Sequence, residues 1–547
     1  AEARDAFYKA TWNAAWHSPA YFELARIAGR GRDWTEALRL AEESLSGNSR
    51  NHRARHLRVA LLRRLGREPE ALAGLDEGLA LDPLNLALHV ERFHLAGDDG
   101  YRRLFRDDAH NYVEIALDYA WAGLTAEATM LLEEAPQTDP MARYTLGWVA
   151  LQEGDKAAAQ AHFARASQMP PDYCFPNRLE DVLVLQAAID HNAQDARAPY
   201  YLGNFWYAHR QYEEAIAAWE RAHELDPTFP TVARNLGLAY VNKRRDLEAG
   251  MRAYELAFSL DPTDARVLYE LDQLAKKLGR PPQERLDFLD ANRQLVHQRD
   301  DLTVERVHLL NLLGRHEEAL AILEQRTFHP WEGGEGKVTG QYVAALLALA
   351  RQRLDAGEAR EAIQLLRRAL VYPENLGEGK LVIAQENDVL YYLGLATAAL
   401  GQDEEARRLF RQASEGSVEP VSPLYYNDQP PEMIFYQGLA YRALGDEAQA
   451  ETIFTKLIDY GRAHLDDEMV MDYFAVSLPD FLVFEQDLDE RNRVHCHFMM
   501  ALGYLGLGDA QSAGEQFARV LALAPDHLGA TTYQRLMVDR PGARSVS

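Results

Sequence analysis

Two cysteines in 547 residues, Cys174 and Cys496, are too few for a disulfide framework. At most one bridge can form, and no cysteine-based zinc cluster can be assembled. A reducing, cytoplasmic setting is the simplest inference, although a periplasmic chain would show the same count. Basic residues are the minority: 58 Lys and Arg stand against 84 Asp and Glu, a net charge of -26. A chain so short of basic charge has no general electrostatic hold on nucleic acid or on an anionic membrane. No apolar run approaches about 18 residues, so no membrane-spanning helix is expected. The chain opens on Ala1-Glu2-Ala3-Arg4-Asp5, with neither an initiator Met nor the pattern of a signal peptide. That start is read as a processed chain or a fragment, with an upstream domain missing.

Motifs of chemistry are also lacking. No GxxxxGK[ST] loop, HExxH, GxSxG or DxDxDG occurs, and no cofactor or metal is expected. Gly333-Gly334-Glu335-Gly336-Lys337-Val338 is glycine-rich, but it lacks the phosphate-loop spacing, the Ser or Thr and a preceding strand. His495-Cys496-His497 resembles a metal cluster only on paper. Residues two apart on a helix point to different sides, and this segment reads as helix.

What is present is a repeat. A chain this long exceeds one ordinary core, and its 47% apolar content is enough to fold. From Gly203, Trp206 follows at +3, Ala215 at +12, Trp219 at +16, Ala222 at +19 and Pro227 at +24. From Gly394 come Gly401, Ala406 and Phe410 at +7, +12 and +16. Gly438 gives Gly445, Ala450 and Phe454; Gly147 gives Gly154, Ala159 and Phe163; Ala501 gives Gly508, Ala513 and Phe517. The glycine at +7 ends a first helix, where a left-handed cap is easy only for glycine. The small residue at +12 and the large one at +16 lie one turn apart on a second helix, which lets two antiparallel helices interlock. Asp226-Pro227 and Asp261-Pro262 end the unit, because proline disfavours helix in the residue before it.

From Gly203 to Gly237 is 34 residues, and the pattern resembles the tetratricopeptide repeat family. The matches run from about Pro19 to Pro525, with weaker copies at Trp34-Thr35-Glu36-Ala37, Glu70-Ala71, Glu127-Ala128 and Glu317-Glu318-Ala319-Leu320. The resemblance implies an all-α, right-handed solenoid of roughly a dozen helix pairs with a concave inner face. Residues 1–300 are expected to form an amino-terminal array and 301–530 a carboxyl-terminal array with inserted loops. Residues 531–547 should supply a capping helix and tail; an exposed terminal repeat would permit a homo-oligomer. Members of the family grip a peptide carboxylate with Asn and basic side chains. Asn204, Asn235 and Arg266 fall at similar positions, but Tyr200 and Glu270 stand where basic residues belong.

Irregular stretches carry more information about function. Surplus residues fall at 170–193, 328–337, 373–380, 421–431 and 461–494, and insertions in a repeat array gather in loops that often bind. These loops are aromatic, amide-rich and acidic. Candidate ligand or partner residues are Tyr173, Asn177, Arg178, His329, Trp331, Glu335, Lys337, Asn375, Glu378, Lys380, Tyr425, Tyr426, Asn427, Asp428, Tyr473, Asp480 and Asp487. Gly-Glu-Gly-Lys occurs in two neighbouring loops, at 334–337 and 377–380, so their Glu and Lys are expected on one edge of the groove. Rings could stack on a sugar or a peptide, and amides and carboxylates could bond either. The competing reading is that the loops only fill gaps while their polar groups cap helices. Glu335, Glu378, Asp428, Asp480 and Asp487 would suit paired-carboxylate glycoside chemistry by position alone, but acidic residues are so abundant that no catalytic assignment follows.

The strings His329-Pro330-Trp331-Glu332-Gly333-Gly334-Glu335-Gly336-Lys337, Tyr426-Asn427-Asp428-Gln429-Pro430-Pro431 and Asn177-Arg178-Leu179-Glu180 add a second resemblance. They are similar to an uncharacterised bacterial family that joins an amino-terminal, mutarotase-like β-sandwich to a long tetratricopeptide array. That resemblance implies a carbohydrate context. The leading expectation is a non-catalytic scaffold for a protein or glycan, and the alternative is the accessory region of a carbohydrate-active enzyme.

Overall fold

A computed structural model of the chain describes residues 2–331, 333–382, 384–422, 428–470, 483–485 and 487–538. The described residues are all-α, with no strand among them. Antiparallel helix pairs follow one another, each joined by a tight turn, and they divide into two compact units, Ala1–Leu236 and Gly237–Ser547.

The repeat offsets acquire a physical meaning in these pairs. In Arg197–Ala208 and Tyr212–Leu225, the Trp219 ring lies on the bare Cα of Gly203; a Cβ there would come 2.4 Å from the indole. The same seat recurs with Phe163 on Gly147 at 2.4 Å, and with Phe410 on Gly394 and Phe454 on Gly438 at 2.5 Å. The large residue at +16 therefore fits the missing side chain at 0, and the alanine at +12 keeps the axes close. Gly154, Gly401, Gly445 and Gly508 all have positive φ and end the first helix, as the +7 position requires. Where glycine is absent, arginine takes the left-handed conformation instead, at Arg210 with φ 60 and, one position later in its own repeat, at Arg245 with φ 56.

In the amino-terminal unit, helix His17–Arg30 reaches helix Ala109–Trp121: a Cβ on Gly29 would meet the Ala122 carbonyl at 2.2 Å. In the same unit Arg63 binds Glu91 at 2.7 Å and Glu127 at 3.0 Å, and the Tyr119 hydroxyl donates to Glu91 at 2.6 Å. Glu91 is fully buried, and this hydrogen-bonded cation keeps its carboxyl low although burial alone would raise it.

The carboxyl-terminal unit closes on itself. Its last helix, Leu528–Val538, packs on the final pair and on earlier helices as well. Tyr533 stacks on Phe517 at 6.2 Å and meets Phe435 edge-on at 5.7 Å, while the same helix packs against Asp300–Leu312, far earlier in the unit. Before it, Asp526 sits 2.8 Å from Lys276 and 3.8 Å from Arg285. A second bridge comes from the long insertion. The Asn242 amide donates to the Val483 carbonyl at 3.1 Å and accepts from the Glu485 N–H at 2.9 Å. Lys243 and Arg245 pair with the Glu485 carboxylate, and Phe484 packs edge-on against Tyr254.

Candidate functional site

The first helices of successive pairs face inward in the carboxyl-terminal unit. Lys337–Asp355, Asn387–Ala399 and Pro431–Leu444 supply one wall of an inner cavity of about 380 Å³, and Leu528, Gly529, Thr532 and Tyr533 of the last helix supply the other. An outer cavity of about 680 Å³ is bordered by three inserted loops, through Trp331 and Glu335, Glu378 and Gly379, and Asp428. The two share Gly340, Tyr372, Gln385, Pro430 and Met433 as walls, so they form one groove with a mouth of loops and a floor of helices.

Of the residues expected at a site, Trp331, Glu335, Glu378 and Asp428 border this mouth. The others in that region hold structure. Asn375 donates to the Leu323 and Arg326 carbonyls, both at 2.8 Å, and its own carbonyl accepts from Phe328 at 2.7 Å. It thus ties the two Gly-Glu-Gly-Lys loops together. Glu378 accepts from the Gly336 N–H at 3.0 Å and the Thr339 hydroxyl at 3.2 Å, so it caps helix Lys337–Asp355 while facing the cavity. Burial raises its carboxyl above the usual range against these bonds. Lys380 turns away, to the Leu370 carbonyl and Glu386. Lys337 is the first residue of its helix. His329 is exposed, with its N–H on Asp300 at 2.9 Å. Asp487 is an N-cap, accepting from Asp489 and Glu490. Tyr425, Tyr426, Asn427, Tyr473 and Asp480 lie outside the described residues.

The amino-terminal unit places its candidates apart. Tyr173 is 92% exposed with φ 57. Asn177 and Arg178 border a separate polar cleft of about 500 Å³, their backbone N–H groups held by Asp181 and the Arg178 side chain paired with Glu114 at 3.3 Å. The carboxylate-grip positions are occupied by internal bonds. Asn204 accepts from the Trp219 indole at 3.1 Å and from Asn235 at 3.3 Å, while Arg266 pairs with the buried Glu270 at 3.0 Å. His495, Cys496 and His497 lie on helix Leu488–Gly506. Cys174 and Cys496 are free, buried thiols, and burial pushes Cys496 up to about 12. Among the described residues no group of His, Cys, Asp and Glu could hold a metal ion, and no helix is long and apolar enough to cross a membrane.

Residues of the inner cavity were not singled out in the loops, because they sit in regular helices. Asp388 and Glu432 occupy the second position of consecutive inward helices, each six residues before the glycine that seats the aromatic ring. Burial lifts Asp388 to about 6 and Glu432 to about 7. That shared register is the signal a reader of the sequence had available.

Fold and groove together define the class: an all-α helix-pair scaffold. Within it, residues 207–243 match a family model described as TPR repeat, and residues 347–420 and 432–460 match models described as tetratricopeptide repeat. Similar solved structures include YrrB, "a TPR protein with an unusual peptide-binding site", at 20% identity, 42% of this chain and 90% of that one, and a TM-score of 0.24. MamA from Desulfovibrio magneticus RS-1 is 21% identical over 35% of this chain and 97% of its own, with a TM-score of 0.22. The TPR domain of P58(IPK) is 13% identical over 78% of this chain and 98% of its own, also at 0.22. At such scores the likeness says nothing of what this chain binds.

Proposed function

We propose that the chain is a non-catalytic scaffold whose carboxyl-terminal unit holds a peptide segment of a protein partner in the groove between the loops and the last helix. One observation carries this reading. The chain's own helix Leu528–Val538 already sits against Asp300–Leu312 and, through Tyr533 on Phe435 and Tyr436, against the inward helix Pro431–Leu444, and the groove continues past it, open, to the loop-lined mouth. Trp331, Glu335 and Asp428 at that mouth offer a ring and carboxylates to a partner of neutral or basic character, which suits the acidic chain.

Gly340 provides the test. It borders both cavities in the first turns of Lys337–Asp355, and a Cβ there meets nothing within 4 Å. Gly340→Phe should fold, fill the groove and abolish binding. Peptides selected from a random display library on the intact chain should bind the parent and fail on Gly340→Phe. If selection yields no peptide, or the peptides bind both chains equally, the reading is wrong; binding on a glycan array that Gly340→Phe removes would assign the groove to sugar instead.

A further inference from the structure

We propose that the inner cavity is a receptor for a single organic cation, an ammonium or guanidinium group carried by the segment that enters the groove. This rests on the groove being a binding site and adds the chemistry of its deepest part. Asp388 and Glu432 both border the cavity. Asp388 is only 8% exposed, and the hydrogen bond it has is to the adjoining Val389 N–H at 2.7 Å. The Glu432 carboxylate lies beside Gly529 of the last helix, where an added Cβ would come 3.1 Å from its Oε1. Asp388 is buried and Glu432 partly so, and among the described residues neither carboxylate has a cationic side chain within ion-pair distance, whereas most buried carboxylates are paired.

The helix starts offer a simpler account, since a carboxylate in a first turn answers the helix dipole. That account predicts a lowered carboxyl, and both are raised, so desolvation outweighs the dipole here. The other charged groups facing the cavity do not supply the missing partner. Arg351 lies over the Tyr392 ring at 5.8 Å, and no carboxylate lies within ion-pair distance of it among the described residues. Glu386 is taken by Lys380. His316, and His527 beside Gly529, are held neutral by burial, both at about 4. Tyr372, Tyr436 and Tyr533 are raised by burial and stay protonated. Two carboxylates against one arginine leave one negative charge uncompensated when both are ionised. A monocation neutralises it, and the tyrosine rings add favourable faces for such a group.

Phenethylamine and its neutral isostere 2-phenylethanol test this on the intact chain by calorimetry. The amine should bind about tenfold or more tightly than the alcohol above about pH 7. Its advantage should fade as the pH falls below about 6 and both carboxylates take up protons. Asp388→Asn with Glu432→Gln should erase the advantage; both remove a carboxylate whose charge burial disfavours, so melting should show a chain at least as stable. Equal binding of amine and alcohol, or an advantage that survives the double variant, overturns the proposal. Display-selected peptides then separate the sources. Loss on acetylating the amino terminus assigns the cation to that terminus, and loss on replacing lysine by norleucine or arginine by citrulline assigns it to a side chain. If peptides bind but none of these changes weakens them, the cation pocket is wrong and the groove stands. If the amine binds and no peptide does, the peptide reading is wrong and the pocket stands.

Discussion

Lys276 and Asp526 form an ion pair at 2.8 Å although one belongs to the first helices of the carboxyl-terminal unit and the other precedes its last helix. Arg285, itself 2% exposed and bound to Asp272 at 2.7 Å, faces the same carboxylate, and His308 Nε2 lies 3.0 Å from the Asp526 carbonyl oxygen. The pair therefore locks the end of the unit to its beginning.

Asp526→Ala should cost about 2–4 kcal/mol, because it strands buried positive charge. Burial opposes ionisation of Asp526, but Lys276 and His308 outweigh it and hold the carboxyl below its usual range. A lowered carboxyl stabilises the fold above its unfolded pKa, so the contribution persists at neutral pH and is lost as pH falls below about 4. Denaturant melts across pH should show parent and variant converging in acid. Limited proteolysis should cut the variant first near residues 524–538.

Asp388 should behave in the opposite sense. Its carboxyl is raised to about 6 from 3.8, so the folded state holds the proton more tightly than the unfolded state. Its contribution is fully favourable below the unfolded value and is lost as pH rises through about 6. Asp388→Asn should therefore be more stable than the parent at neutral pH, by up to about 3 kcal/mol at roughly 1.4 kcal/mol per unit. The difference should disappear near pH 4. A gain over the parent no larger at neutral pH than in acid would contradict this.

Glycines at the two repeat positions should differ in cost. Gly394→Ala puts a Cβ 2.5 Å from the Phe410 ring, and the pair must shift; about 1–3 kcal/mol is expected. Gly401 has φ 73 with nothing within 4 Å, so Gly401→Ala meets only the left-handed backbone penalty of about 1–2 kcal/mol. Thermal melts of both, with a relaxing Phe410→Leu in the Gly394→Ala background, should show rescue in that background alone.

Asn375→Ala should loosen both inserted loops at once. It removes two side-chain bonds to partly buried backbone carbonyls, for about 2 kcal/mol. Hydrogen exchange should rise at Phe328, whose N–H bonds the Asn375 carbonyl, and at residues 374–378.

Much of the fold was legible because a glycine and an aromatic ring sixteen residues apart are halves of one contact. That complementarity leaves a mark in composition at fixed spacing, as Gly147 with Phe163 and Gly438 with Phe454 show. Turns at Arg210 and Arg245 left no such mark, since arginine in a left-handed turn looks like any surface residue. The closure was hidden for a different reason: Asn242 with Glu485, and Lys276 with Asp526, pair residues that no local period relates. At the site, inserted loops pointed to Trp331, Glu335, Glu378 and Asp428, but attention to irregular segments passed over Arg351, Asp388 and Glu432, which occupy ordinary helical positions. Asn375, Lys380 and Asp487 carried the right chemistry for ligands and use it on the chain's own backbone and side chains.

An open array of repeats can gain or lose a copy at little cost, because each contacts only its neighbours. In the carboxyl-terminal unit that freedom is gone. Duplicating or deleting one helix pair between Lys276 and Asp526 would pull their partners out of reach and break the bridge from Asn242 to residues 483–485. The unit thus counts its own repeats, and its evolution is confined to changing what lines the groove rather than how many helices surround it.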